Sequence, residues 1–240
     1  MSGGVGGAGG AGPVTVAIDG PSGSGKSSVA RAVASAHGLA YLDTGAMYRA
    51  AALAALRGFG LDDPARVVAA VREMPLKLSL DPHHQRVYLA DDDVTSAIRE
   101  TRVSEVVSIV ATNREARALL VERQQALVRA ERLPDGWSGG RGIVAEGRDI
   151  TTVIAPDAEV RVLLTASEAA RLRRRSLDVH GSAAADAVEA TRDQVLRRDR
   201  DDSRAAEFLV AAPGVVTVDS SEMTLEETID AVMALVEGYL

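Results

Sequence analysis

The most specific chemistry in this chain sits in one short stretch. Gly20-Pro21-Ser22-Gly23-Ser24-Gly25-Lys26-Ser27 fits the pattern G-x-x-x-x-G-K-[ST]. Glycines at these places let the backbone curl so that successive N–H groups face one anion. The N-terminus of a following helix adds partial positive charge. Lys26 is expected to reach the β- and γ-phosphates of a nucleoside triphosphate, and the Ser27 hydroxyl to hold Mg²⁺. Ser28 closes this candidate cofactor-binding segment. A plain Gly/Ser turn is the competing reading. The context favours phosphate, because the motif follows a short apolar run and opens a helical pattern.

A phosphate loop does not name a reaction, since switches, motors and kinases share it. The base-reading motif N-K-x-D of the switches is absent. The remaining candidates lie in four further segments. In Asp43-Thr44-Gly45-Ala46-Met47-Tyr48-Arg49, Arg49 can pair with phosphate and Tyr48 can offer a ring face or a hydroxyl. The same stretch also reads as a capped helix start with Tyr48 in the core. Glu146-Gly147-Arg148-Asp149 offers donors and acceptors after a predicted strand, or a turn with an ion pair. Arg171, Arg174 and Arg175 fall at i, i+3 and i+4 on a predicted helix, where like charges repel. An anion would relieve that repulsion, whereas a solvated face would tolerate it. Arg198-Asp199-Arg200-Asp201-Asp202-Ser203-Arg204 is dense in both signs and could be a surface ion-pair run.

Chemistry selects among kinases. A sugar or alcohol hydroxyl calls for a carboxylate to orient or take its proton. A phosphate acceptor is already ionised, so the difficulty becomes repulsion between two anions, which arginines and Mg²⁺ offset. Arginines spread over several segments therefore favour a phosphorylated acceptor.

Composition bounds the rest. The 240 residues are 46% apolar and 25% charged, ordinary for a soluble globular chain. Net charge is −7, against a generic nucleic-acid binder. Lys26 and Lys77 are the only lysines, so the cationic chemistry belongs to arginine and its planar fork. Without cysteine there is no disulfide or thiolate site, and the four histidines show no zinc spacing. No run approaches a membrane span, and the Gly/Ala-rich residues 1–13 are expected to be a flexible tail rather than a signal sequence. A cytoplasmic monomer is the default expectation.

The elements that must position these residues alternate. Strands are predicted at 14–18, 39–42, 143–145, 160–164 and 215–218, each short and apolar as in a parallel sheet buried on both faces. Helical patterns lie between them, including 46–57, a helix from Asp63-Pro64 to about Glu73, and one long stretch 102–131 carrying Ser108 and Arg117. Thr165-x-x-Glu168 and Thr224-x-x-Glu227 read as capping boxes. Alternation at 76–80 and 86–89 across Pro82-His83-His84-Gln85 predicts a hairpin in a β insert at about 76–96. The fold class is α/β: a P-loop NTPase-type doubly wound parallel sheet, helices on both faces, with a small β-containing insert.

In order and spacing, Gly-Pro-Ser-Gly-Ser-Gly-Lys-Ser, Asp-Thr-Gly-Ala-Met-Tyr-Arg, Glu-Gly-Arg-Asp-Ile and Arg-Asp-x-x-Asp-Ser resemble the bacterial cytidylate kinases. The resemblance runs from about Val14 to the C-terminus. It implies transfer of the ATP γ-phosphate to CMP or dCMP, on a core (14–240) with a monophosphate-binding insert at about 44–110 and a LID at about 167–182. It implies that Thr44, Tyr48 and Arg49 line the CMP site, with Arg49 and Arg148 on its phosphate. Ser108, Arg117 and Asp149 would read cytosine, whose amine donor suits a carboxylate and whose acceptors suit arginine. Arg198 would bind substrate phosphate and Asp202 ribose, and Arg171, Arg174 and Arg175 would close over ATP with Lys26. Two departures stand out. Arg204 follows Ser203 directly, where the family usually has one residue between, so the register Arg197/Asp201/Arg204 competes. Thr151 replaces a usual Gly after Arg-Asp-Ile, and only a change of turn is expected there. A kinase of another small metabolite, or a non-catalytic nucleotide-binding module, are the alternatives.

Overall fold

The computed structural model describes residues 12–181, 184, 186, 188, 189, 192 and 209–240. Five strands form one parallel sheet: β1 (Val14–Asp19), β2 (Ala40–Asp43), β6 (Gly142–Gly147), β7 (Val160–Thr165) and β8 (Val216–Asp219), in the order β2-β6-β1-β7-β8. Every residue of β1 and β6 is buried, which explains why both are largely apolar. Alternate side chains feed two separate cores. Ala17, Leu42, Ile143 and Ala145 pack towards α2 (Thr44–Ala54) and α3 (Pro64–Glu73). Val16, Ile18, Tyr41 and Val144 pack towards α1 (Lys26–His37), which with the last helix covers the opposite face. The sheet is therefore doubly wound.

The register aligns the strand ends that matter. Ile18 lies beside Glu146, and Asp43 beside Glu146 on its other flank. The phosphate-loop turn, Asp43 and Glu146 thus share one edge of the sheet, where ligands of open α/β folds bind.

Between α3 and β6 the chain builds a second, antiparallel sheet from β3 (Leu76–Leu78), β4 (Val87–Leu89) and β5 (Asp92–Asp93). The third strand had no sequence signal beyond two aspartates. Asp63 caps α3 by accepting the Ala65 N–H, with Pro64 at the first helical position.

Two helix predictions are corrected. The stretch 102–131 is not one helix but three: α4 (Thr101–Ser104), α5 (Val107–Thr112) and α6 (Arg114–Ala130). Asn113 leaves helical geometry and its side chain accepts the Ala116 N–H, so it caps α6 and ends α5. Ser108 and Arg117 consequently sit on different helices. Nor does Thr165 cap α7 (Glu168–His180): it ends β7, and Ser167 accepts the Ala170 N–H instead. The second capping box is real, with Thr224 and Glu227 bonding reciprocally at the start of α8 (Leu225–Val236).

Candidate active site

The loop between β1 and α1 wraps a cavity of about 240 Å³. Its tightness depends on missing side chains. A Cβ on Gly20 would run into the Leu164 carbonyl, and Gly23, at φ +78°, would place one 2.7 Å from the Arg171 carbonyl. Ser22, Gly23, Gly25, Lys26, Ser27 and Ser28 line the cavity.

Beneath the loop lies the first residue of the segment Glu146-Gly147-Arg148-Asp149. Glu146 is 3% exposed at the end of β6. Its carboxylate accepts from Ser27 Oγ at 2.6 Å and from the Tyr41 hydroxyl at 3.2 Å, and stands 3.9 Å from Lys26 Nζ. Burial pushes its pKa up, and the Asp43 charge adds to this. Lys26, Ser27 and Arg148 oppose the shift. The signal for it was an acidic residue ending an otherwise apolar strand. A second carboxylate, overlooked in the sequence, is Asp19, 2% exposed, which accepts from Ile150 N (2.8 Å), Thr151 N (2.9 Å) and Thr151 Oγ1 (2.6 Å). Burial raises its pKa against those three bonds. Thr151 therefore does more than change a turn: its hydroxyl ties the segment after Asp149 to β1.

Across the cavity stand the acceptor candidates. Thr44 Oγ1 donates to the Glu146 carbonyl at 2.8 Å. Arg49 Nη1 donates to Ser104 Oγ at 2.7 Å, a partner on α4 unforeseen in sequence. Arg148 Nη1 donates to the Gly20 carbonyl at 2.7 Å, joining the acceptor side to the phosphate loop. Arg117 Nη2 donates to Asp149 Oδ2 at 2.6 Å. Tyr48 lies against this pair. Burial and then the Asp149 charge push its hydroxyl up to about 12, while Arg117 and Gln124 pull the other way. All of these predicted residues lie on the cavity wall, together with Arg99, which was not foreseen.

Ser108 is not on that wall. Val107 and Ala111 of α5 are. The three α7 arginines also part company. Arg175 lines the cavity. Arg171, 8% exposed, donates to the Ser22 carbonyl at 3.0 Å. Arg174 donates to the Ser24 carbonyl (3.3 Å), Ser220 Oγ (2.9 Å), and the Ser220 (2.6 Å) and Met223 (3.1 Å) carbonyls. Those two brace the back of the loop, rather than presenting a bare cationic face. Arg198, Asp202 and Arg204 lie outside the described residues.

Comparison with known proteins agrees with the motifs. The family model for cytidylate kinase matches residues 16–238. The chain belongs to the cytidylate kinase family. It is 43% identical over 226 residues to a cytidylate kinase of Nocardia farcinica, covering 93% of this chain and 94% of that one. It is 44% identical over 227 residues to one of Cutibacterium acnes (93% and 96%) and 40% over 228 residues to one of Chlorobaculum tepidum (93% and 93%). Membership of the cytidylate kinases makes the loop a nucleotide-binding P-loop and the chain a kinase. Among the described residues no helix is long and apolar enough to cross a membrane.

Proposed function

We propose that this chain transfers the γ-phosphate of ATP to CMP or dCMP, giving ADP and CDP or dCDP. One observation carries the reading. A single cavity has the P-loop, Lys26, Ser27 and Arg175 on one side, and Arg49, Arg148 and the Arg117–Asp149 pair on the other. It offers cations for two phosphate chains and a donor–acceptor pair for a base.

The roles follow from charge. The P-loop N–H groups and Lys26 hold the donor's phosphates, and Arg175, from the α7 LID segment, reaches the same space. Arg49 and Arg148 hold the acceptor phosphate in line with the transferring group. That acceptor oxygen is already ionised, so no side chain need take a proton from it. Asp149 accepts from the cytosine amine, and Arg117 donates to the ring acceptors. Arg198 and Asp202, carried over by resemblance, add a phosphate and a ribose contact.

The donor set suits Mg²⁺. No group of three or more His, Cys, Asp or Glu side chains among the described residues could form a metal cage. Ser27 Oγ beside the Glu146 carboxylate instead provides one hydroxyl ligand and one second acceptor, as Mg²⁺ bound largely by water and phosphate oxygens requires. When bound, the ion would supply positive charge that offsets the charge on the donor's phosphates.

The test is a coupled assay of ADP release with Mg²⁺·ATP across CMP, dCMP, UMP, AMP, GMP and shikimate. CMP and dCMP are expected to turn over best, and Lys26→Ala is expected to lose at least about 10²-fold in kcat. Turnover of shikimate but not CMP would replace this reading with a metabolite kinase. Nucleotide binding without any turnover would leave a binding module.

A further inference from the structure

Arg49 rises from a stretch of α2 that is firmly seated: Ala50, Ala51, Ala52 and Leu53 expose no surface. Its own side chain is long and rich in rotamers, so a fixed backbone does not fix the guanidinium. A head group that meets a phosphate in one geometry has to be held. The structure supplies a holder from far along the chain. Arg49 Nη1 donates to Ser104 Oγ at 2.7 Å, across 55 positions of sequence.

Ser104 presents its hydroxyl from a braced segment. It is the last residue of α4, and Val103 beside it is wholly buried. Ile98, just before α4, is 1% exposed and packs in the same core as Val103 and α2. Backbone bonds tie the segment further: Ile98 N donates to the Val94 carbonyl (3.0 Å), Ser104 N to that of Glu100 (3.1 Å) and Glu105 N to that of Thr101 (2.9 Å). Arg49 lines the cavity and Ser104 does not, so Ser104 acts on a ligand there through Arg49.

The chemistry of the holder suits the task. A carboxylate in this place would orient the guanidinium but offset its charge. A hydroxyl accepts one N–H and adds no charge. A guanidinium carries five N–H donors, so giving one to Ser104 sets its plane without excluding a phosphate.

We propose that Ser104 is a positioning residue whose hydroxyl sets the Arg49 guanidinium in the orientation that grips the acceptor's phosphate. The inference rests on the CMP-kinase reading above.

The experiment compares wild type with Ser104→Ala, Ser104→Val and Ser104→Thr, each alone and combined with Arg49→Met, by steady-state kinetics for CMP and ATP. Ser104→Ala and Ser104→Val are expected to raise KM for CMP about three- to tenfold, the worth of one hydrogen bond, with KM for ATP within about twofold of wild type. Ser104→Thr keeps the hydroxyl and should stay within about twofold of wild type for both substrates. In the Arg49→Met background, removing the hydroxyl should change kcat/KM for CMP by no more than about twofold, since the group it holds is gone. An unchanged KM for CMP in Ser104→Val overturns the proposal. So does a Ser104→Thr enzyme as impaired as Ser104→Val, or a loss that persists in Arg49→Met. A KM for ATP that rises in step with that for CMP shows general damage to the site and also overturns it. Thr and Val share one shape, so their comparison stands even where Ser104→Ala fails to fold. Wild type that leaves CMP untouched fails the CMP-kinase reading itself, and is told apart at the first measurement.

Discussion

Arg117 on α6 and Asp149, two residues beyond β6, are joined by a 2.6 Å ion pair, with Asp149 6% exposed. The pair holds a donor face and an acceptor face side by side. Asp149→Ala would remove the acceptor and free Arg117 to swing. KM for CMP is expected to rise about 10- to 100-fold, the worth of one base contact, while AMP changes much less. Kinetics with both nucleotides check this. Equal discrimination between CMP and AMP in variant and wild type would refute the assignment.

Arg174 and Arg175 are neighbours with separable tasks. Arg174 donates to carbonyls of both the P-loop and the turn after β8. Arg174→Ala is expected to cost about 2 kcal/mol in chemical denaturation and to raise KM for ATP. Arg175→Ala should leave the denaturation midpoint in place and lower kcat by about 10- to 100-fold. The reverse pattern would exchange the two roles.

The sheet, the P-loop and the capped α3 were legible because each rests on local rules: a buried run, a glycine pattern, an Asp-Pro start. The three pieces of 102–131 were not. Their apolar spacing continues across Asn113, and only the tertiary bond from Asn113 Nδ2 to the Pro64 carbonyl and the cap to Ala116 explain why the helix restarts there. The loop contacts of Arg171 and Arg174 were not legible for a related reason. Spacing shows which face a side chain takes, but not that the loop carbonyls of Ser22 and Ser24 arrive opposite that face. Glu146 stands within a motif and Asp19 directly before one. Their burial, however, is a property of five strands together.

Thr151→Val keeps the shape of the side chain and deletes the donor to Asp19. A buried carboxylate would lose one of three bonds. The expected cost is about 1.5–3 kcal/mol, read as a shift in the urea midpoint. Because Ile150 and Thr151 follow Asp149 directly, KM for CMP should rise as well.

Glu146 also sets a pH dependence. Its pKa in the folded protein is raised from 4.5, so between the unfolded and the folded value the native state binds more of a proton than the unfolded chain does. Stability from this group is therefore highest below about pH 4.5 and is lost as pH rises towards the folded value. Glu146→Gln removes the titration. The difference in Tm, variant minus wild type, should grow with pH from about 4.5 upwards, while kcat falls about 10-fold or more through loss of the negative charge beside Ser27 and Lys26. A difference in Tm that stays flat with pH would refute the shift.

Gly20 meets the Leu164 carbonyl so closely that no side chain fits between them. The anion cradle and its neighbouring strand are in that sense a single casting. Replacing this glycine would first show itself as failed refolding or poor yield of folded protein, well before any change in nucleotide affinity could be measured.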